Sequence, residues 1–128
     1  MRIKTSKQSD EYLDIMQKSL KFSTKAALAR IAIGYSIYME GDPINDPEFF
    51  NGDTQGFEFQ RATLTADYDQ AFKVMIVQKH GRPMDDSIYY PRALKAHLDR
   101  GIKHLYSEFK YAGNKEKFFN FLLGIQSK

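Results

Sequence analysis

Leu94, Leu98, Ile102, Leu105 and Phe109 recur at intervals of three and four residues. That spacing lays one apolar stripe along a long α-helix. A single helix cannot hide such a stripe from water, so the remaining segments must pack against it. Asp85, Asp86 or Ser87 can open this helix, Pro91 is tolerated in its first turn, and Gly113 marks its C-cap region. The chain has 128 residues, a length that suits one domain with one core.

The segments before it have shorter periods. Arg2 to Ser6 alternate, with Ile3 and Thr5 on one side and Arg2, Lys4 and Ser6 on the other, which predicts a short half-buried strand. Ser9 can cap a first helix carrying Tyr12, Leu13, Met16 and Leu20 and ending near Phe22. Ser23 or Thr24 can cap a second, with a stripe of Ala27, Leu28, Ile31, Ala32, Tyr35 and Met39, which Gly41 and Pro43 stop. A loop follows to Gly56, with Phe49 and Phe50 pinning its middle to the core. Phe57 and Phe59 alternate with Glu58 and Gln60 as in a second strand. Thr65 then caps a helix that turns Tyr68, Ala71, Phe72, Met75 and Ile76 inward and ends at Gly81 and Pro83. After Gly113, Asn114 restarts a short helix whose Phe118, Phe119, Phe121, Leu122, Leu123 and Ile125 lie nearly all round, so its own core or another subunit must cover it. The fold class is mainly α: a short N-terminal strand followed by a helical bundle, one helical domain over 1–128 with 111–128 as a C-terminal extension.

Composition removes several chemistries. With no cysteine there is no disulfide, thiolate nucleophile, persulfide carrier or cysteine-ligated metal centre. No apolar signal region opens the chain and no run of about 18 apolar residues occurs, so a cytoplasmic protein without a membrane span is expected. The net charge of +3 is unevenly spread: residues 1–40 carry +3, residues 41–70 carry −6 and residues 71–128 carry +6. Together with a pI of about 9.0, two basic segments around an acidic one are compatible with a polyanion partner.

Site chemistry is sparse. His97 and His104 lie seven residues apart on the long helix, without the four-residue spacing of a compact two-ligand metal grip. Asp42, Asn45, Asp46 and Glu48 are oxygen ligands in an order that fits no calcium loop, and turn chemistry accounts for them. No phosphate loop, nucleophile elbow or paired-carboxylate motif is present, so neither a catalytic residue nor a cofactor is expected. Tyr89 and Tyr90 beside Arg92 are able to stack on bases, although helical spacing favours core. Arg30, amid Ala29, Ile31 and Ala32, is either a buried arginine organising the fold or a functional cation. The sharper candidates are Arg2 and Lys4 on the outer side of the first strand, Lys7 after it, and Lys21 and Lys25 around the first inter-helix turn. Together they would line a phosphate-binding surface.

Three stretches resemble the family of the DNA sulfur modification protein DndE: Arg-Ile-Lys-Thr-Ser-Lys at residues 2–7 with Ala-Leu-Ala-Arg-Ile-Ala-Ile-Gly-Tyr-Ser at 27–36, the segment 61–78 beginning Arg-Ala-Thr-Leu-Thr, and His-Leu-Asp-Arg-Gly-Ile-Lys-His-Leu at 97–105. A glycine expected soon after the Thr-Leu pair is replaced by Thr65 and Ala66. The resemblance implies a small helical protein whose N-terminal half is ribbon-helix-helix-like. It also implies a non-catalytic accessory role in DNA phosphorothioation beside other Dnd proteins, binding of intact or nicked duplex DNA through lysines and arginines, and assembly into homo-oligomers. Two other readings compete. A ribbon-helix-helix repressor would pair its first strand with that of a second copy. A pure assembly factor would dock through its acidic loop and apolar last helix.

Overall fold

The computed structural model describes residues 2–50 and 52–126. Strand β1 (Arg2–Lys4) leads into helices α1 (Lys7–Leu20) and α2 (Lys25–Tyr38), a 3₁₀ turn (Pro43–Asn45) and the single turn α3 (Pro47–Phe50). Strand β2 (Glu58–Gln60) and the turn α4 (Arg61–Leu64) follow, then a 3₁₀ turn (Ala66–Tyr68) and α5 (Asp69–His80). Next come α6 (Asp86–Ile88), a π-helical turn (Tyr89–Leu94), α7 (Lys95–Ala112) and α8 (Lys115–Gln126). The mainly helical class stands, with the alternating segments near residues 3 and 59 as its strands.

The long helix is the axis of the molecule, and α2 is its principal neighbour. The predicted stripe of Leu94, Leu98, Ile102 and Leu105 is fully buried. The opposite face of the same helix is buried too: every residue from Lys95 to Leu98 and from Asp99 to Ile102 is covered. At the crossing with α2 the backbones touch, since a Cβ on Gly101 would stand 1.9 Å from the Ala32 carbonyl oxygen. This close approach rotates the buried face of α2 away from the expected stripe. Ala26, Leu28, Ala29, Ala32, Ile33 and Ser36 are buried, whereas Ala27, Ile31, Tyr35 and Met39 are only half covered.

Caps explain most boundaries. Helix α1 begins a turn earlier than expected, because Ser6 Oγ accepts from the Ser9 amide and leaves Ser9 inside the helix. It ends at Lys21, left-handed at φ 60°. Thr24 caps α2, Gly113 closes α7 in the left-handed region and Asn114 Oδ1 accepts from the Lys117 amide at the start of α8. Thr65 does not cap α5. Its hydroxyl is turned to Asp69, 2.8 Å away, and a 3₁₀ turn intervenes in which Ala66 takes φ 47°, a conformation that suits glycine better. Of the residues expected to face inward from α5, Phe72 and Ile76 are buried, but Tyr68, Ala71 and Met75 are exposed. Pro91 lies inside the π turn; lacking an N–H, it cannot join the regular ladder. Phe118 of α8 enters the core against Phe109, Phe121 packs edge-on to Tyr35, and Leu123 stays exposed. The side chain of Ile125 and residues 127–128 lie outside the described residues.

Candidate nucleic-acid interface

Strand β1 pairs antiparallel with β2 of the same chain, in the register Arg2 with Gln60, Ile3 with Phe59 and Lys4 with Glu58. Alternation turns Ile3 and Phe59 into the core and leaves Arg2, Lys4, Glu58 and Gln60 on the outer face. Gly56 fixes the approach to β2, for its amide donates to the Thr5 carbonyl and a Cβ there would meet Ser6 O at 2.2 Å. A shallow cleft opens on this outer side, lined by Arg2, Ile3, Lys4, Thr54, Glu58, Pro91 and Lys95.

The five cations expected to act together are not brought to one surface. Arg2 and Lys4 share the cleft. Lys7 is exposed at the first turn of α1. Lys21 is exposed past the other end of that helix; its fourteen residues at 1.5 Å each span about 21 Å. Lys25 does not line the cleft: its ammonium sits 4.4 Å from the centre of the Phe57 ring and pairs with Asp10 at 3.5 Å and Asp14 at 3.8 Å. Lys95, 93 residues beyond Arg2, was not among the expected cations. It supplies a third positive charge to the cleft while its ammonium holds Asp99 at 2.6 Å. No local signal in the sequence points to it, because only the contact between β1 and the π turn brings it there.

Carboxylates of the acidic segment are consumed as staples. Asp42 accepts from the Ile44 amide and meets His80; burial works against its charge, but these partners hold its carboxyl below the usual range. Asp46 caps the Glu48 amide, Glu48 pairs with Lys103, and Glu58 reaches Arg2 at 3.4 Å. Asp53 accepts from the amides of Gln55 and Lys7, which lower its pKa. Turn and cap chemistry thus accounts for the loop, and among the described residues no three acidic or histidine side chains come together to hold a metal ion.

The other candidates are structural. Tyr89 and Tyr90 are fully buried, and Arg61 stacks on both rings while pairing with Asp69 and Asp86. Arg61 holds the exposed Asp86 carboxyl down at about 2, and burial pushes the Tyr90 hydroxyl up to about 12. Arg92 turns away from the tyrosines to the Phe50 ring. Arg30 donates to the carbonyls of Thr63 and Leu64, at 3.1 Å each, tying α2 to α4. His97 is buried, with Ser36 Oγ 2.8 Å from Nδ1, and burial together with the nearby Arg100 pushes its pKa down to about 3.

Residues 2–123 match the family described as DNA sulphur modification protein DndE. The chain belongs to the DndE family. A search of curated proteins finds no match. Membership of the DndE family gives the chain a role in DNA sulfur modification. Among the described residues, no helix is long and apolar enough to cross a membrane.

Proposed function

We propose that this DndE-family protein is a non-catalytic, DNA-binding accessory subunit of the phosphorothioation system, acting in the cytoplasm beside other Dnd proteins that perform the sulfur chemistry. The observation that carries the reading is the cleft on the outer face of β1, where Arg2, Lys4 and Lys95 meet with Lys7 nearby. Arg2 and Lys4 are exposed, and among the described residues Lys4 and Lys7 have no ion-pair partner. Such groups contact phosphate oxygens irrespective of sequence. Binding therefore depends on backbone, whether the duplex is intact or nicked; the accessory role is supported by the absence of cysteine, since a protein that carried sulfur itself would need a thiolate. A repressor of the ribbon-helix-helix type would need β1 paired with a second copy, whereas β1 here is paired with β2.

Self-association belongs to the same proposal. Each charged side chain of α5 is tied to this chain: Asp69 to Arg61, Lys73 to Asp86, Lys79 to the Met39 carbonyl and His80 to Asp42. What α5 exposes is neutral, namely Gln70, Ala71, Val74, Met75 and Gln78, with Tyr68 beside them. A neutral apolar face can meet its own copy across a two-fold axis without repulsion.

A mobility-shift titration on intact and nicked duplexes at two salt concentrations tests the DNA-binding reading. Three phosphate contacts predict a log-log salt slope of roughly −3 and little sequence dependence. Affinity that does not change with salt, or discrimination of about a thousandfold between sequences, would contradict it.

A further inference from the structure

Glu58 stands on the cation face of the sheet as the strand partner of Lys4, and its carboxylate reaches back to Arg2 at 3.4 Å. Among the described residues, it is the only carboxylate lining the cleft. Its position is fixed by backbone: β2 is hydrogen-bonded to β1, and Gly56 seats the preceding segment against Thr5 and Ser6 too closely for any side chain. Behind the cleft, Asp53 adds a second negative charge within electrostatic reach of Lys95, while its carboxylate is committed to the first amide of α1. The acidic segment is therefore a fixed lip beside the cations.

We propose that Glu58 is a built-in competitor for the phosphate that this cleft receives, so that β2 of the chain itself holds down the affinity for nucleic acid. The inference rests on the DNA-binding reading above and adds regulation to the same cleft. A lone phosphate reaching Arg2 exchanges with the carboxylate one for one and gains little. A continuous backbone engages Arg2 and Lys4 together, since residues two apart on a strand face are about 6.8 Å from each other, and Lys7 adds a further contact. The consequence is selection for polymer over mononucleotide or inorganic phosphate.

The test is fluorescence anisotropy of a labelled duplex with the full chain and with E58Q, R2A and the E58Q/R2A double variant over a range of salt. Thermal melting checks that each variant folds; Glu58 lies at the surface and Gln keeps its shape. E58Q is expected to bind about 3- to 5-fold more tightly at low salt. The gain should vanish in the R2A background, because Glu58 acts through Arg2. Unchanged affinity in E58Q with the wild type still binding would overturn the role of Glu58 alone, and so would an equal gain with and without Arg2. Failure of the wild type and all variants to bind duplex would remove the DNA-binding reading and this inference with it.

Discussion

Two regions of the molecule treat charge in opposite ways. Along the first two turns of α7, Lys95, His97, Asp99 and Arg100 are all buried; the polar atoms of His97, Asp99 and Arg100 are directed at α1 and α2, and Lys95 is held by Asp99. On β1 the charges face water, with one rim ion pair and a surplus of cations. Asp99 accepts from Ser9 Oγ at 2.8 Å and from the Ser6 amide at 3.1 Å, docking the start of α1. Arg100 donates to Ser36 Oγ and to the carbonyls of Ser36 and Glu40, so the C-terminal end of α2 is held by a cation where the helix dipole favours one. A buried charge of this kind organises the fold, because removing its partner leaves a desolvated polar group. An exposed one contributes little to stability and is left available for a ligand.

The largest effect that would break this contrast is at Arg100. Arg100→Ala strands the Ser36 and Glu40 carbonyls and should cost about 3 kcal/mol or more of folding stability, read by denaturant unfolding. A loss under about 1 kcal/mol would mean that the buried charges are dispensable. Gly101→Ala forces a methyl into the Ala32 carbonyl and should cost about 2–3 kcal/mol by separating α2 from α7. The same unfolding assay checks it, and an unchanged midpoint would place the crossing elsewhere.

Acid sharpens the comparison further. Ser36 Oγ accepts from Arg100 Nε and lies 2.8 Å from His97 Nδ1, while Nε2 of the same ring is buried without a partner among the described residues. The imidazole is held neutral, with its pKa depressed from 6.5 to about 3. Below about pH 6.5 the unfolded chain takes up a proton that the folded chain refuses, so stability is full above that pH and falls as pH drops towards 3. Asp42, Asp69 and Asp86, all depressed, lose their contribution only below the ordinary carboxylate range, so the decline between pH 6.5 and 4.5 belongs to the histidines that burial holds neutral, His97 first and the less buried His104 beside it. Unfolding midpoints measured across that window should fall in the wild type and stay flatter in His97→Gln. The smallest effect is on β1: Arg2→Ala and Lys4→Ala should each shift stability by less than about 0.5 kcal/mol, checked by thermal melting.

How far the sequence could be read follows the same division. The stripe of α7, the caps at Thr24 and Asn114, and the alternation around Ile3 and Phe59 are local patterns, and each stands in the structure. The burial of the polar side of α7 is not local. Lys95, Asp99 and Arg100 look like a solvated face until α1, α2 and the loop between α2 and β2 close over them. Ala66 was visible as a departure from the glycine of the resembling family, but its left-handed φ of 47° was not. Nearness in sequence also misled the grouping of Arg2, Lys4, Lys7, Lys21 and Lys25. Strand alternation and the length of α1 distribute them, Lys25 is neutralised by Asp10 and Asp14, and Lys95 arrives from the far half of the chain.

The salt dependence of duplex binding by Arg2→Ala/Lys4→Ala, compared with wild type, tests the account most directly. Two phosphate contacts should disappear, making the log-log slope shallower by about two in a variant that melts like wild type. An unchanged slope and affinity in that folded variant would contradict the assignment of the β1 cleft to the DNA backbone.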